Sequence, residues 1–367
     1  MAYKLQPLVI GDLEIKIPII QGGMGVKVST SSLASAVANC GGAGVIASVA
    51  LGYGTEENQL NYVRVSNEGL RDELRMARER TTGAIGVNIL FALTNYEELA
   101  KTAAQEGADF IVAGAGLPLN LPEITKGYPI KLIPIVSSSR AVELICKTWK
   151  RRYNRLPDAV VVEGPLAGGH LGFKAEELKP PKEHMLEEIV VEVMNAVNTY
   201  GKEAGVNIPV IAAGGIFDGK DAVRFFKLGV QGVQMATRFV ATHECSVADE
   251  FKQLYISAKE SDVVIIDSPV GMPGKSLKTK FVDRIMNGAR IPFSCHYKCL
   301  RTCDPKTAPY CIAKALVNAV KGDIDNAVVF CGSNVHKIEK IVHVKELMDT
   351  IVQEMSDALH EDVLAAR

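Results

Sequence analysis

A chain of 367 residues with 41 Lys and Arg against 42 Asp and Glu carries almost no net charge, which removes the electrostatic footprint of a nucleic-acid or membrane-surface partner. Hydrophobic residues make up 47%, an ordinary share for a globular protein, and no apolar run approaches the roughly 20 residues that span a bilayer. The first twenty residues are broken by Asp12, Glu14 and Lys16 and lack a secretory pattern. Eight cysteines in such a chain point to reduced thiols or metal ligands rather than a disulfide framework, and the cytoplasm is the expected address.

Short, almost wholly apolar runs at residues 17–21, 44–48, 84–89, 110–113, 132–136, 159–163, 210–213 and 232–235 read as parallel strands buried on both faces. Amphipathic stretches alternate with them, at 32–39, 97–106, 141–150, 187–200 and 220–228. Eight strands with intervening helices is the number that closes a (β/α)8 TIM barrel; an open doubly wound sheet shows the same alternation. After Phe239 the rhythm breaks. Residues 241–310 hold a helical stretch at 248–261, a Gly/Pro turn at 271–274 and a run of cysteines, and are expected to form a small inserted lid domain. Residues 1–240 and 311–367, with helices at 312–321 and 344–359, would then make the barrel.

The chemistry collects at strand ends. The seventh strand ends in Ala213-Gly214-Gly215-Ile216-Phe217-Asp218. Adjacent glycines let backbone N–H groups approach an anion, and Asp218 is placed to cap a helix whose N-terminus favours phosphate. The eighth runs through Gln234, Met235 and Ala236 to Thr237, and the loops after strands 7 and 8 are the common phosphate site of TIM barrels. Taken alone, Gly-Gly is an ordinary turn; the pair of motifs at these two strands is what points to phosphate. Gly22, Gly23, Met24 and Gly25 follow the first strand and offer bare backbone to a flat ring, or close strand–helix packing. Asn88 adds an amide at the same rim. The sixth strand leads into Ala167-Gly168-Gly169-His170, where an imidazole with near-neutral pKa suits proton transfer. Lys131 precedes its strand and lies at the wrong end of the barrel for chemistry.

Cys295, Cys299, Cys303 and Cys311 place half of the chain's cysteines within 17 residues. Thiolates suit zinc or an iron–sulfur cluster, yet the spacing matches neither a zinc ribbon nor a ferredoxin run. The other reading puts Cys295, Cys299 and Cys303 on one helix face as small buried packing residues.

Together, segments 18–25, 86–88, 167–172, 213–219 and 232–241, with a weaker match at 273–283, resemble the nitronate monooxygenase (2-nitropropane dioxygenase) family and its relative, the FMN-dependent enoyl-acyl-carrier-protein reductase. The resemblance implies an FMN-binding TIM barrel with a lid. It places Gly22, Gly23 and Met24 along the flavin and Asn88 in contact with it. Gly168, Gly169 and Ala236 join the cofactor-binding set, and Gly214, Gly215, Gln234 and Thr237 would cradle the ribityl phosphate. His170 would be the catalytic residue. The chain departs from the family pattern at Ala236, where glycine is usual, and in residues 147–156, which lengthen the segment before strand 6. The activity expected first is oxidation of alkyl nitronates with O2; the alternative is reduction of an enoyl thioester by NAD(P)H. A non-catalytic flavin-binding partner of a larger synthase is a third possibility, which His170 argues against.

Overall fold

The computed structural model describes residues 5–52, 61–178, 185–295 and 297–365. The chain begins with a hairpin that the sequence did not disclose: β1 (Leu8–Ile10) pairs antiparallel with β2 (Leu13–Ile15). Alternation sets its role. Leu8, Ile10 and Ile15 turn inward while Val9 and Glu14 face solvent.

Eight parallel strands follow: β3 (Ile19–Gln21), β4 (Gly44–Ala47), β5 (Ile85–Leu90), β6 (Phe110–Gly114), β7 (Lys131–Val136), β8 (Val160–Glu163), β10 (Val210–Ala213) and β11 (Gly232–Met235). Each lies within two residues of an expected run. The ring closes between β3 and β4, where the Ala43 amide donates to Ile19 O and the Gln21 amide to Ala43 O, both at 2.9 Å. The structure is therefore a TIM barrel, not an open sheet. Inside it Ile20, Val45, Val112, Ile133, Val161 and Ile211 form one buried cluster, and Leu8, Ile10 and Ile15 of the hairpin seal its lower end. Each such side chain contributes about 1.5–3 kcal/mol relative to exposure. Lys131, expected just before its strand, is the first residue of β7; it pairs with Asp12 of the hairpin, which confirms that it belongs to the lower end.

Local signals set the helix ends. Ser138 Oγ accepts from the Ala141 amide and opens helix Ser139–Tyr153, which Asn154 closes in the left-handed conformation; residues 147–156 thus lengthen that helix. Asp218 caps helix Gly219–Leu228 as expected, its carboxylate accepting from the Asp221 amide at 2.8 Å. The C-terminal helix Val344–Ala365 packs across the start of that helix, and Glu354 accepts from the Gly219 amide at 2.8 Å. Among the described residues, no helix is long and apolar enough to cross a membrane.

Above the strand ends lies a small antiparallel sheet. It contains β12 (Val263–Asp267), β13 (Pro273–Leu277), β14 (Val329–Phe330) and β9 (Gly169–His170), the last drawn from the loop after β8.

Candidate active site

A cavity of about 430 Å³ opens at the C-terminal ends of the strands, under the small sheet. Gly22, Gly23, Met24, Asn88, Gly168 and Gly169 line it, as do His170, Gly214, Gly215, Gln234, Ala236 and Thr237. All expected cofactor residues and the expected catalytic histidine therefore face one space. Of the four clustered cysteines only Cys299 reaches it.

Backbone geometry makes the wall. Gly214 and Gly215 hold φ of +94° and +83°, where a side chain is strained. Asn334 donates to Gly215 O at 2.8 Å and fixes that loop. The Gly332 amide donates to Thr237 Oγ1 at 2.9 Å, which leaves the threonine hydroxyl free to donate into the cavity. Opposite, a Cβ on Gly23 would sit 2.2 Å from Asn88 Cβ, so only glycine lets these two strand ends meet. Gln234 lies against Gly22 and is paired with Ala213, next to Gly214, and its Oε1 is buried with no hydrogen-bond partner. A buried acceptor without a donor costs about 1–3 kcal/mol and is what a bound polar ring would satisfy. With bare glycine backbone and a hydroxyl donor on the far side, the residues present fit FMN; Gly214, Gly215 and Thr237 would hold its phosphate, and Gly22, Gly23 and Asn88 would face its ring.

The titratable groups of the wall are enclosed. His170 Nε2 lies 2.7 Å from Ser268 Oγ, and the ring stands edge-on to Phe330 with centroids 4.9 Å apart. Burial pulls its pKa down to about 4, so the imidazole is neutral at pH 7. Glu163, at the tip of β8, is pushed up to about 8 by burial, against a smaller opposing pull from Lys275. Lys275 is held by Pro165 O at 2.5 Å and Ser333 Oγ at 2.7 Å, and burial brings its pKa down to about 8. Glu163, Lys275, Ser268 and the 328–334 segment escaped the sequence reading. The signal for the segment was present: Cys331-Gly332-Ser333-Asn334 follows an apolar run just as the barrel motifs do. Lys275 lay within the weaker match at 273–283 without being singled out, and for Ser268 there was no signal, because it reaches His170 from the turn after β12.

The reading of Cys295, Cys299 and Cys303 as one helix face does not hold: no helix lies among the described residues between 287 and 311. That stretch instead docks on the loop after β5. Thr94 donates to Cys299 O at 3.1 Å and to Lys298 O at 2.8 Å, and the Arg301 amide donates to Ala92 O at 2.9 Å. Among the described residues, no three His, Cys, Asp or Glu converge to hold a single metal ion.

The family profile described as Nitronate monooxygenase matches residues 6–109 and 91–354. A Mycobacterium tuberculosis protein named (3aS,4S,5R,7aS)-5-hydroxy-7a-methyl-1-oxo-octahydro-1H-indene-4-carboxyl-CoA dehydrogenase is 29% identical over 276 residues, 75% of this chain and 67% of its own length. A probable nitronate monooxygenase of Staphylococcus saprophyticus is 28% identical over 318 residues, 77% of this chain and 81% of its own. The solved structure of FabK from Thermotoga maritima superposes with a TM-score of 0.74 at 28% identity, covering 95% of both chains. Nitroalkane oxidase of Streptomyces ansochromogenes, at 19% identity, shares the fold with a TM-score of 0.72 over 94% of this chain and 97% of its own. With the profile spanning nearly the whole barrel and its upper sheet, this chain belongs to the nitronate monooxygenase family, a family of FMN-dependent oxidoreductases.

Proposed function

We propose that this oxidoreductase reduces a conjugated double bond of an acyl thioester at the expense of NAD(P)H. The observation that carries the reading is Glu163, an enclosed carboxyl in the cavity wall that keeps its proton at neutral pH. When bound, FMN supplies a carrier for a hydride equivalent. The protein must then supply the proton that completes saturation of the double bond, and a protonated carboxyl in a water-poor wall is suited to that task. Neutral His170, fixed by Ser268, orients the substrate carbonyl through its ring nitrogen. The small sheet acts as the lid over this space, with β12 and β13 from residues 241–310 and with β9 and β14 joining it from outside that range. The carboxyl-CoA in the name of the Mycobacterium tuberculosis relative supports a thioester substrate.

A second reading, oxidation of alkyl nitronates with O2, is favoured by the family profile and by the staphylococcal relative. In that case His170 would orient the anionic nitro group. One experiment separates the two. Flavin-loaded protein is mixed anaerobically with NADH, NADPH or propionate 3-nitronate, and bleaching is followed by eye of spectrophotometer at the flavin band. Bleaching by a nicotinamide, followed by reoxidation with an enoyl thioester, supports the reductase. Bleaching by the nitronate alone overturns it in favour of the monooxygenase.

A further inference from the structure

A phosphate monoester carries a charge of about −1.5 to −2 at pH 7, and the loops at Gly214, Gly215 and Thr237 meet it with neutral donors only. The helix that follows, Gly219–Leu228, does not supply the balance, because carboxylates already occupy the amides at its start. The Gly219 amide donates to Glu354 at 2.8 Å, the Asp221 amide to Asp218 at 2.8 Å and the Phe217 amide to Asp221 at 2.9 Å. Three acidic side chains thus answer the positive end of the helix dipole before any phosphate does.

One cation stands at this end of the cavity. Arg238 follows Thr237 directly and is the only lysine or arginine among the described residues of the wall. Its Nη1 donates to Phe217 O at 3.1 Å, and its Cζ stacks 4.6 Å from the centroid of the Phe217 ring. Both contacts fasten the guanidinium to the 214–218 loop. A guanidinium carries five N–H donors, so others remain for an anion. Among the described residues no carboxylate forms an ion pair with it. Enclosure works against its charge, and only the longer-range field of Glu354 and Asp218 supports it. A half-buried cation without a partner is what an incoming phosphate would neutralise.

We propose that Arg238 is the counter-charge of the FMN phosphate, donating to its oxygens from beside Thr237 and making the cavity select phosphorylated flavin over riboflavin. The inference rests on FMN occupying the cavity and is the same for either substrate. Lys337 does not share the role. Its Nζ lies 5.6 Å from the centroid of the same Phe217 ring, but it lines a separate hollow of about 120 Å³ and not the main cavity.

The test compares two flavins that differ only by the phosphate. Full-length protein freed of flavin is titrated with FMN and with riboflavin, and binding is read from flavin fluorescence. Arg238→Met should weaken FMN binding about 10- to 100-fold and leave riboflavin within about twofold. Arg238→Lys should recover part of the loss, and Lys337→Met should change neither. Equal weakening of both flavins would make Arg238 a brace for the Phe217 loop and overturn the proposal, as would FMN binding undisturbed by Arg238→Met. Wild-type protein that takes up neither flavin overturns the FMN reading itself. Should the Arg238 variants fail to fold, phosphorus NMR of FMN on the wild type decides. A phosphate beside a guanidinium stays doubly charged at pH 5, below its free second pKa of about 6, whereas titration at or above that value overturns the proposal.

Discussion

His170 Nε2 and Ser268 Oγ meet at 2.7 Å although 98 residues of chain separate them. Replacing His170 with alanine should leave FMN bound, since the glycine loops that form its cradle lie on other strands, while turnover falls about 10²- to 10⁴-fold. Ser268→Ala should cost only about 2- to 10-fold, the net worth of one neutral hydrogen bond. Rapid-reaction measurement of the two half-reactions checks this: both losses should appear in the substrate half, and unchanged turnover in the histidine variant would leave that ring a packing group.

Glu163 predicts a pH profile with a definite sign. Its pKa is raised to about 8, so the proton is held below that pH and lost above it. Activity that uses the proton should decline as pH rises through about 8. Glu163→Gln should lose about 10²- to 10⁴-fold in kcat/KM and, in the residual rate, the alkaline limb as well.

The same group makes stability depend on pH. An unfolded glutamate releases its proton near 4.5, whereas the folded one holds it to about 8, so folding favours the protonated form. Stability from this group is full below about 4.5 and is lost as pH rises towards 8. Wild type should therefore lose stability relative to Glu163→Gln between these values, and urea melts at pH 5 and pH 8.5 measure it.

The cradle predicts the cofactor. Denatured protein should release FMN rather than FAD, because Gly214, Gly215 and Thr237 offer a cradle for one phosphate. Gly215→Asp adds both a charge beside the phosphate and a side chain at φ +83°, and should purify colourless. Gly23→Val should weaken retention by forcing Asn88 off the rim, given a Cβ contact of 2.2 Å. Flavin fluorescence of the supernatant after heat denaturation reports both.

Much of the barrel was legible because parallel strands buried on both faces leave continuous apolar runs, as in Val160–Val162 and Ile111–Ala113. The glycine loops and His170 were legible because they sit where those runs stop. The hairpin Leu8–Ile15 was not: its strands are too short for alternation to stand out. Helix Tyr62–Arg80 also escaped, since its buried positions Val65, Leu70, Leu74 and Ala77 are diluted by charge. Glu163 was visible as a strand end, but its elevated pKa arises from enclosure, which no local pattern reports. Lys275 is placed by pairing with Gly169 and Ser268 by its contact with His170, both about a hundred residues away in the chain, and such long-range contacts carry no local signature.

The pairing of Gly274 with His170 and of Lys275 with Gly169 makes the histidine a strand of the upper sheet rather than an ornament of a loop. If His170 orients the substrate as proposed, any swing of that sheet that widens the mouth would carry the imidazole with it. On that reading admission and chemistry would be exclusive positions of one part, and a substrate too bulky to let the sheet settle back would be bound yet left unconverted.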